Sequence, residues 1–99
     1  MACFAVTLMH GSAWDERRGI REQSGWDEHA AFMDGLVADG LIVLGGPLGD
    51  GERILHLVDA NDEQAIRRQL AEDPWARAGL LEVASIQPWA LWLDARRDG

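Results

Sequence analysis

Apolar and polar positions divide the 99-residue chain into six segments with two different periodicities. Four short apolar segments have the length and the flanking turn residues of strands, and they lie at 2–10, 41–48, 53–58 and 81–87. Two longer segments show the three- to four-residue spacing of amphipathic helices, at about 25–39 and 61–72. The order βαββαβ predicts an α+β, ferredoxin-like domain, in which an antiparallel sheet carries both helices on one face.

Capping and turn residues give the expected ends of these elements. Ser24 with Asp27 resembles a capping box that opens the first helix, and Gly40 follows the end of that helix. Asn61 with Gln64 forms a second box and opens the second helix. Between the second and third apolar segments, the turn GDGE predicts a β-hairpin.

The strands are apolar on both faces, although two helices on one side can cover only one of them. In the first strand Phe4, Val6 and Leu8 alternate with further apolar residues, and the second strand is apolar throughout. A sheet face in contact with water is normally polar at alternate positions, so a second apolar face predicts a cover. A homodimer packed sheet to sheet is the simplest cover. The alternative is that the short tail WALWL, residues 89–93, folds back over that face.

A histidine lies in the middle of the apolar face of the first helix. At 100° per residue the acidic side chains fall on the opposite side, and His29 shares its arc with Trp26, Phe32, Met33 and Leu36. A buried imidazole needs an acceptor for its N–H group. The acceptor therefore has to come from another element.

Asp73 is the expected partner of His29. In the second helix, Ile66 and Leu70 mark the apolar stripe, and Asp73 follows three residues later on the same side. A carboxylate that accepts from one ring nitrogen fixes the tautomer, stabilises the imidazolium and leaves the other nitrogen as a general base. The same pair could serve only to tie the two helices together, and the spacing favours neither role.

Composition and charge weigh against several classes of function. A net charge of −8 without a basic cluster disfavours nucleic-acid binding. Cys3 is the single cysteine, which permits no intramolecular disulfide and is typical of a cytoplasmic protein. The first apolar segment is too short to cross a membrane and lacks a basic leader, so no membrane association is expected. His10 and His56 lack metal-ligand spacing; they receive no role, and no metal site is predicted.

Several motifs together resemble one family. They are the helix WDEHAAFMDGL followed by ADG, the strand end LGGPLGDG, the segment AEDPWARAGLLEV, and IQPW. In this order and spacing, from Gly25 to Trp89, the chain resembles the YciI-related (YCII) proteins of the dimeric α+β barrel superfamily. The resemblance implies a dimer of ferredoxin-like protomers, a single YCII-like domain over residues 1–99, and a site whose His–Asp pair maps to His29 and Asp73. Many members have an arginine three residues before the histidine, but Trp26 stands there in this chain, so no anion-binding role is carried over.

The predicted function follows from the pair and from the resemblance. Relatives with assigned chemistry include a dehydrochlorinase of a chlorinated hydroquinone, and muconolactone isomerases are neighbours in the superfamily. They imply isomerisation, elimination or hydrolysis of a small organic, for example cyclic, ligand with no bound cofactor. The alternative is a non-catalytic small-molecule-binding or dimerisation module with a structural pair. The expected substrate-binding residues are Trp75, Phe32, Met33, Gly46 and Pro47.

Overall fold

The computed structural model describes residues 2–96 as a four-stranded antiparallel sheet with helices on one face. The strands are β1 (Ala2–His10), β2 (Ile42–Leu48), β3 (Arg53–Ala60) and β4 (Leu81–Pro88). The helical elements are a single 3₁₀ turn (Ile20–Glu22), α1 (Trp26–Ala38), α2 (Glu63–Leu70) and the short α3 (Pro74–Ala78). The sheet order β2-β3-β1-β4 confirms the predicted α+β, ferredoxin-like architecture. No helix within the described range is long and apolar enough to cross a membrane.

The strand boundaries agree closely with the apolar segments of the sequence. β1 has the predicted bounds, β2 begins one residue later, at Ile42, and β3 runs two residues further, to Ala60. The turn between β2 and β3 closes the predicted hairpin, because the Gly51 N–H donates to the Leu48 carbonyl at 2.7 Å. Gly49 and Gly51 both have positive φ, a conformation that glycine adopts without steric cost. The turn residues thus explain where the hairpin reverses.

The hydrophobic core lies between the sheet and the helices. Alternate residues of β1 point towards the helices, and one stripe of each long helix points towards the sheet. The buried side chains of this layer include Phe4, Val6, Leu8, Leu36, Ile66 and Leu70. The polar residues of the candidate site lie in the same layer.

The predicted cap of the first helix is wrong. α1 begins at Trp26, and its N-cap is Gly25 in the left-handed conformation (φ 78°) without a side-chain cap. The Ser24 carbonyl instead accepts a hydrogen bond from the Trp75 indole Nε1–H at 2.7 Å. This tertiary contact fixes the chain ahead of the helix, and a glycine turn replaces the serine cap. The predicted end is confirmed, since Gly40 follows the helix with a φ of 84°.

The predicted cap of the second helix is also wrong, by one residue. Asp62, not Asn61, is the N-cap of α2, and its carboxylate accepts a hydrogen bond from the Ala65 N–H at 2.8 Å. Gln64 is therefore the second residue after the cap, whereas a capping box requires it to be the third. Two adjacent residues with the same capping chemistry are hard to separate by pattern alone. The helix ends at Leu70, two residues before the predicted end, because the chain then turns into α3.

The outer face of the sheet, which points away from the helices, is only partly covered. Leu57 on β3 is buried and lines a recess with Leu44 and with tail residues between 89 and 96. Leu44 is nevertheless 55% exposed, and Trp92 of the tail is 91% exposed. The tail thus shields part of the outer face and leaves large apolar side chains in contact with water. The homodimer that was expected to cover this face stays a prediction.

Candidate active site

His29 and Asp73 form the buried pair that the sequence predicts. The Nδ1 atom of His29 lies 2.9 Å from Oδ1 and 3.0 Å from Oδ2 of Asp73. Only 7% of the surface of His29 and 3% of that of Asp73 is exposed. Because a carboxylate can only accept, Nδ1 carries the proton and donates it to Asp73, and the lone pair is on Nε2. The contact thus selects the tautomer in which Nε2 is the basic nitrogen.

The start of α3 holds the carboxylate of Asp73 in place. Asp73 is the N-cap of this helix, and its Oδ1 accepts a hydrogen bond from the Trp75 backbone N–H at 3.0 Å. Pro74 occupies the first helical position, where no backbone N–H is needed. The sequence DPW therefore orients the carboxylate by local structure, and His29 meets an acceptor that is already fixed.

Tryptophan rings restrict the imidazole of His29. The Trp75 ring stacks on it, with 4.0 Å between the ring centroids and 5° between the planes. Trp75 is itself fixed, because its indole N–H donates to the Ser24 carbonyl. The ring of Trp26 lies 5.9 Å from that of His29 in a tilted arrangement. With one face stacked and one edge bound to a carboxylate, the imidazole has little freedom to rotate.

The aromatic cluster continues from Trp75 to the end of β1. Trp14 meets Trp75 edge-on, with 5.6 Å between the centroids, and His10 stacks on Trp14 at 3.7 Å. His10 therefore packs on the far side of the cluster and does not join His29. Trp14 had no predicted role, because only the tertiary fold brings the connection after β1 against the end of α3.

A cavity of about 250 Å³ lies beside His29, between α1 and the sheet. Its lining is mainly apolar, and among the described residues its ionisable side chains are those of His29 and His56. Three of the expected substrate-binding residues, Met33, Gly46 and Pro47, lie in the lining. The first helix, the end of β2 and the middle of β3 therefore meet at this cavity, which contains two imidazoles.

His56 is as buried as His29, at 7% exposed, but it is held differently. Among the described residues, neither of its ring nitrogens has a hydrogen-bond partner. The ring packs against Gly45, its neighbour across the β2–β3 ladder, and a Cβ on Gly45 would collide with Nδ1. Burial, and to a smaller extent the charge of His29, lower the pKa of His56 below its usual value of 6.5. The His56 ring is therefore neutral at neutral pH.

A family comparison covers the residues of this site. The model of the YCII-related domain matches residues 9–90, a range that contains both members of the pair as well as His56. The chain belongs to the YCII-related family. A search of curated proteins found no match for it. The family match confirms the resemblance carried by the sequence motifs and by itself assigns no reaction.

Two of the expected substrate-binding residues of this YCII-related domain lie outside the cavity lining. Trp75 is buried and supports the imidazole by stacking. Phe32 is half-buried and packs against the core. Spacing on the helix and proximity to Asp73 placed both near His29. These two signals do not predict on which side of the imidazole ring each residue lies, because that depends on how α1 and α3 pack together.

One cavity residue, His56, was missed as a candidate for function. The signal was strand alternation: Ile54, His56 and Val58 share one face of β3, and the two aliphatic residues belong to the core. Within residues 2–96, no group of three or more His, Cys, Asp or Glu side chains is arranged to hold a metal ion. The polar groups that the cavity does offer are an imidazole oriented by a carboxylate and a neutral imidazole. Together they can accept a proton, return it and donate a hydrogen bond.

Proposed function

We propose that this YCII-related domain is a small-molecule enzyme that uses the His29–Asp73 pair for general acid/base chemistry. The reaction is an isomerisation, elimination or hydrolysis of a small organic substrate, such as a ring compound, and it needs no bound cofactor. One observation carries the proposal: an imidazole that a buried carboxylate holds at 2.9 Å forms part of a cavity wall.

The roles of the two residues follow from their contacts. Nε2 of His29 accepts a proton from the substrate, and the imidazolium that forms keeps its Nδ1–H directed at Asp73. Asp73 does not touch the substrate; it orients the ring and stabilises its charged form, as carboxylates do in other histidine dyads. Proton return from Nε2 to another atom of the substrate completes an isomerisation. Return to a leaving group completes an elimination.

The cavity supports a ligand of modest size. Its volume of about 250 Å³ is below the range of roughly 300–1,000 Å³ that is common for sites of drug-sized ligands. A mainly apolar wall with few polar groups suits a ring compound that has one or two polar substituents. This match in size and polarity favours a metabolite-like molecule over a peptide or a nucleic acid.

A second candidate function, a non-catalytic ligand-binding or dimerisation module, is supported by one contact. Asp73 also accepts the Trp75 N–H as the cap of α3, so its carboxylate has a structural role that is independent of catalysis. In this candidate the pair joins α1 to the start of α3. Removing the pair then changes the stability of the protein, and there is no catalytic turnover for the removal to affect.

A homodimer through the outer face of the sheet is part of the same proposal. The exposed side chains of Leu44 and Leu48 on β2 and of Trp92 in the tail would be removed from water by a second copy. Sedimentation velocity of the purified protein tests this step. A monomer at concentrations of about 100 µM would contradict a stable dimer.

The test of the enzyme is a substrate screen with a matched histidine control. Wild-type protein is incubated with small lactones, cyclic enones and chlorinated ring compounds, and NMR follows their conversion. We expect at least one class to be converted, and we expect the His29→Gln variant to lose about 100-fold or more in rate. His10→Gln removes a histidine outside the cavity and should keep the wild-type rate. Binding without conversion, or equal rates in wild type and His29→Gln, would favour the non-catalytic module.

A further inference from the structure

His56 is the polar group of the cavity that the proposed acid/base chemistry does not use. It lies in the lining together with His29, and both of its ring nitrogens lack a partner among the described residues. Buried polar side chains are nearly always hydrogen-bonded, and an unpaired one costs stability. A buried imidazole that has no protein partner and lines a cavity is therefore open to a hydrogen bond with a bound ligand.

The fold holds the His56 ring in a defined position. Gly45 stands opposite on β2, and the ring fills the space where a side chain at that position would lie. Ile54 and Leu81, both buried, lie in the same lining. Packing on a β-sheet thus replaces hydrogen bonds in orienting the imidazole, which is the kind of pre-organisation that a ligand-binding group needs.

The ionisation of His56 differs from that of an ordinary surface histidine. Its pKa is lowered, because burial disfavours the charged ring and because His29 is close. The cavity lining contains no carboxylate within the described residues that would reverse this effect. When His29 takes up a proton, the charge of His29 further disfavours a proton on His56. The neutral His56 ring keeps one N–H donor.

We propose that His56 donates its ring N–H to the carbonyl oxygen of the substrate, which makes this a site for small carbonyl compounds with an acidic C–H next to the carbonyl group. The inference rests on the proposed function, since it needs His29 as the base. It goes further by naming the substrate class and a second catalytic residue. A base paired with a neutral imidazole donor is a known arrangement for removing a proton next to a carbonyl.

The proton-transfer step balances without any further reactant. Nε2 of His29 takes the proton from the carbon next to the carbonyl, and the electron pair of that C–H bond forms a C=C bond. The carbonyl π pair moves to the oxygen, which becomes an enolate that accepts the His56 N–H. If the proton on Nε2 first exchanges with solvent, delivery of the solvent-derived proton to the same carbon gives hydrogen exchange. Delivery of the proton to the far carbon of a conjugated enolate moves the double bond.

The size of the cavity agrees with this class. A dry engineered cavity of about 150 Å³ accommodates benzene, so about 250 Å³ has room for one ring with a carbonyl oxygen and small substituents. Charge on the enolate oxygen develops in a mainly apolar environment, where a fixed donor is worth more than it is in water.

The experiment measures hydrogen exchange in model ketones, because it requires no knowledge of the natural substrate. Cyclohexanone, cyclopentanone and δ-valerolactone are incubated in D₂O with the full-length protein, and NMR follows loss of the protons next to the carbonyl. We expect wild type to accelerate exchange of at least one of them. His56→Leu, which removes the donor, should lower that rate by about 100-fold, the usual loss when one oxyanion donor is removed. His56→Gln keeps an N–H donor and should retain more activity than His56→Leu.

Binding of 4-nitrophenol gives a readout that does not depend on turnover. Its oxygen resembles an enolate oxygen on a ring, and its absorbance reports ionisation of the bound form. We expect wild type to bind it with the ionised form favoured. Loss of a hydrogen bond to a charged oxygen in His56→Leu should weaken binding at least about 10-fold. His10→Gln serves as the matched histidine control and should bind as wild type does.

The outcomes separate this inference from the proposed function. Exchange that is lost in His29→Gln but unchanged in a folded His56→Leu protein overturns the role of His56 and leaves the His29–Asp73 enzyme standing. Absence of exchange with all three compounds overturns the substrate class. The proposed function is then decided by turnover in its own screen of lactones, enones and chlorinated rings. Equal affinity of wild type and His56→Leu for 4-nitrophenol also overturns the inference.

Discussion

His29 and His56 line one cavity and are equally buried, yet they are held in opposite ways. His29 has a carboxylate at 2.9 Å and an aromatic ring stacked at 4.0 Å. His56 has no hydrogen-bond partner among the described residues and is held by its fit against Gly45. Burial alone therefore does not define what a core histidine does. The neighbours decide how the ring is held, by a carboxylate and a stacked indole at His29 and by strand packing at His56.

The two arrangements also depend on different parts of the chain. The partner of His29 is 44 residues away in sequence, but DPW orients that partner locally at the start of α3. The position of His56 depends on the register of two neighbouring strands. Substitutions should therefore disturb His29 through lost contacts and His56 through excess volume.

The largest effect is expected when the paired histidine loses its carboxylate. Asp73→Ala leaves His29 buried without an acceptor and removes the cap of α3. Breaking a buried pair from one side costs about 3–5 kcal/mol, and a lost N-cap adds to that. Urea unfolding at pH 7 should therefore show a much lower free energy of unfolding. If Asp73→Ala is too unstable to measure, Asp73→Asn keeps the cap oxygen and should show a smaller loss in the same direction.

A compensated double variant separates the pair from the cap. His29→Leu combined with Asp73→Ser removes both halves of the pair and keeps a short N-cap side chain for α3. Replacing a buried pair by apolar or small groups is often close to neutral, so we expect stability within about 1 kcal/mol of wild type. A loss as large as that of Asp73→Ala would mean that the pair stabilises the fold in its own right. That result would favour the structural module over the enzyme.

The histidine held by packing should respond to one added methyl group. Gly45→Ala places a Cβ against the His56 ring, and the ring or the strand must move. Overpacking of this kind costs about 1–3 kcal/mol. Gly46→Ala is the matched control, because nothing lies within 4 Å of a Cβ there, and it should stay within about 0.5 kcal/mol of wild type. Urea unfolding of the two variants side by side measures the difference.

A double-mutant cycle assigns the Gly45→Ala effect to the ring. In a His56→Ala background the ring is absent, so Gly45→Ala should cost no more than Gly46→Ala does. An unchanged cost in that background would place the strain in the backbone of β2 and would contradict the close fit of Gly45 and His56.

The sequence predicts the paired half of the site. His29 could be assigned because helical spacing places it on an apolar face, and Asp73 because it continues the stripe of Ile66 and Leu70. Both inferences use periodicity along one element, which is the strongest signal in a single chain. The order of strands and helices along the chain followed from the same kind of pattern. The predicted N-caps were wrong at both helices. At Ser24 a tertiary contact with Trp75 fixes the chain instead, and at Asn61 the neighbouring Asp62, which has the same capping chemistry, is the cap.

The contact of His56 with Gly45 could not be predicted, because it depends on an irregularity in the β2–β3 ladder. The register shifts between Ile42 and Leu44. Continued without that shift from the pair of Ile42 with Val58, the ladder would place Leu44 opposite His56. A leucine there would fill the space that the ring occupies. One extra residue in a strand is not visible in the apolar pattern, and it decides which residue faces the ring.

The smallest expected effect is the pH dependence that His56 contributes to stability. Burial and the nearby charge of His29 lower the pKa of folded His56 below 6.5, the value that it regains when the chain unfolds. Between the two values the unfolded chain binds more protons, so the free energy of unfolding increases with pH and falls as the pH is lowered through 6.5. His56→Leu removes this linkage. Its free energy of unfolding, measured from pH 5 to 8, should depend less steeply on pH than that of wild type, by a slope that corresponds to at most about one bound proton. Parallel profiles would show that His56 has the same pKa in the folded and the unfolded chain, and would contradict the effect of burial on this ring.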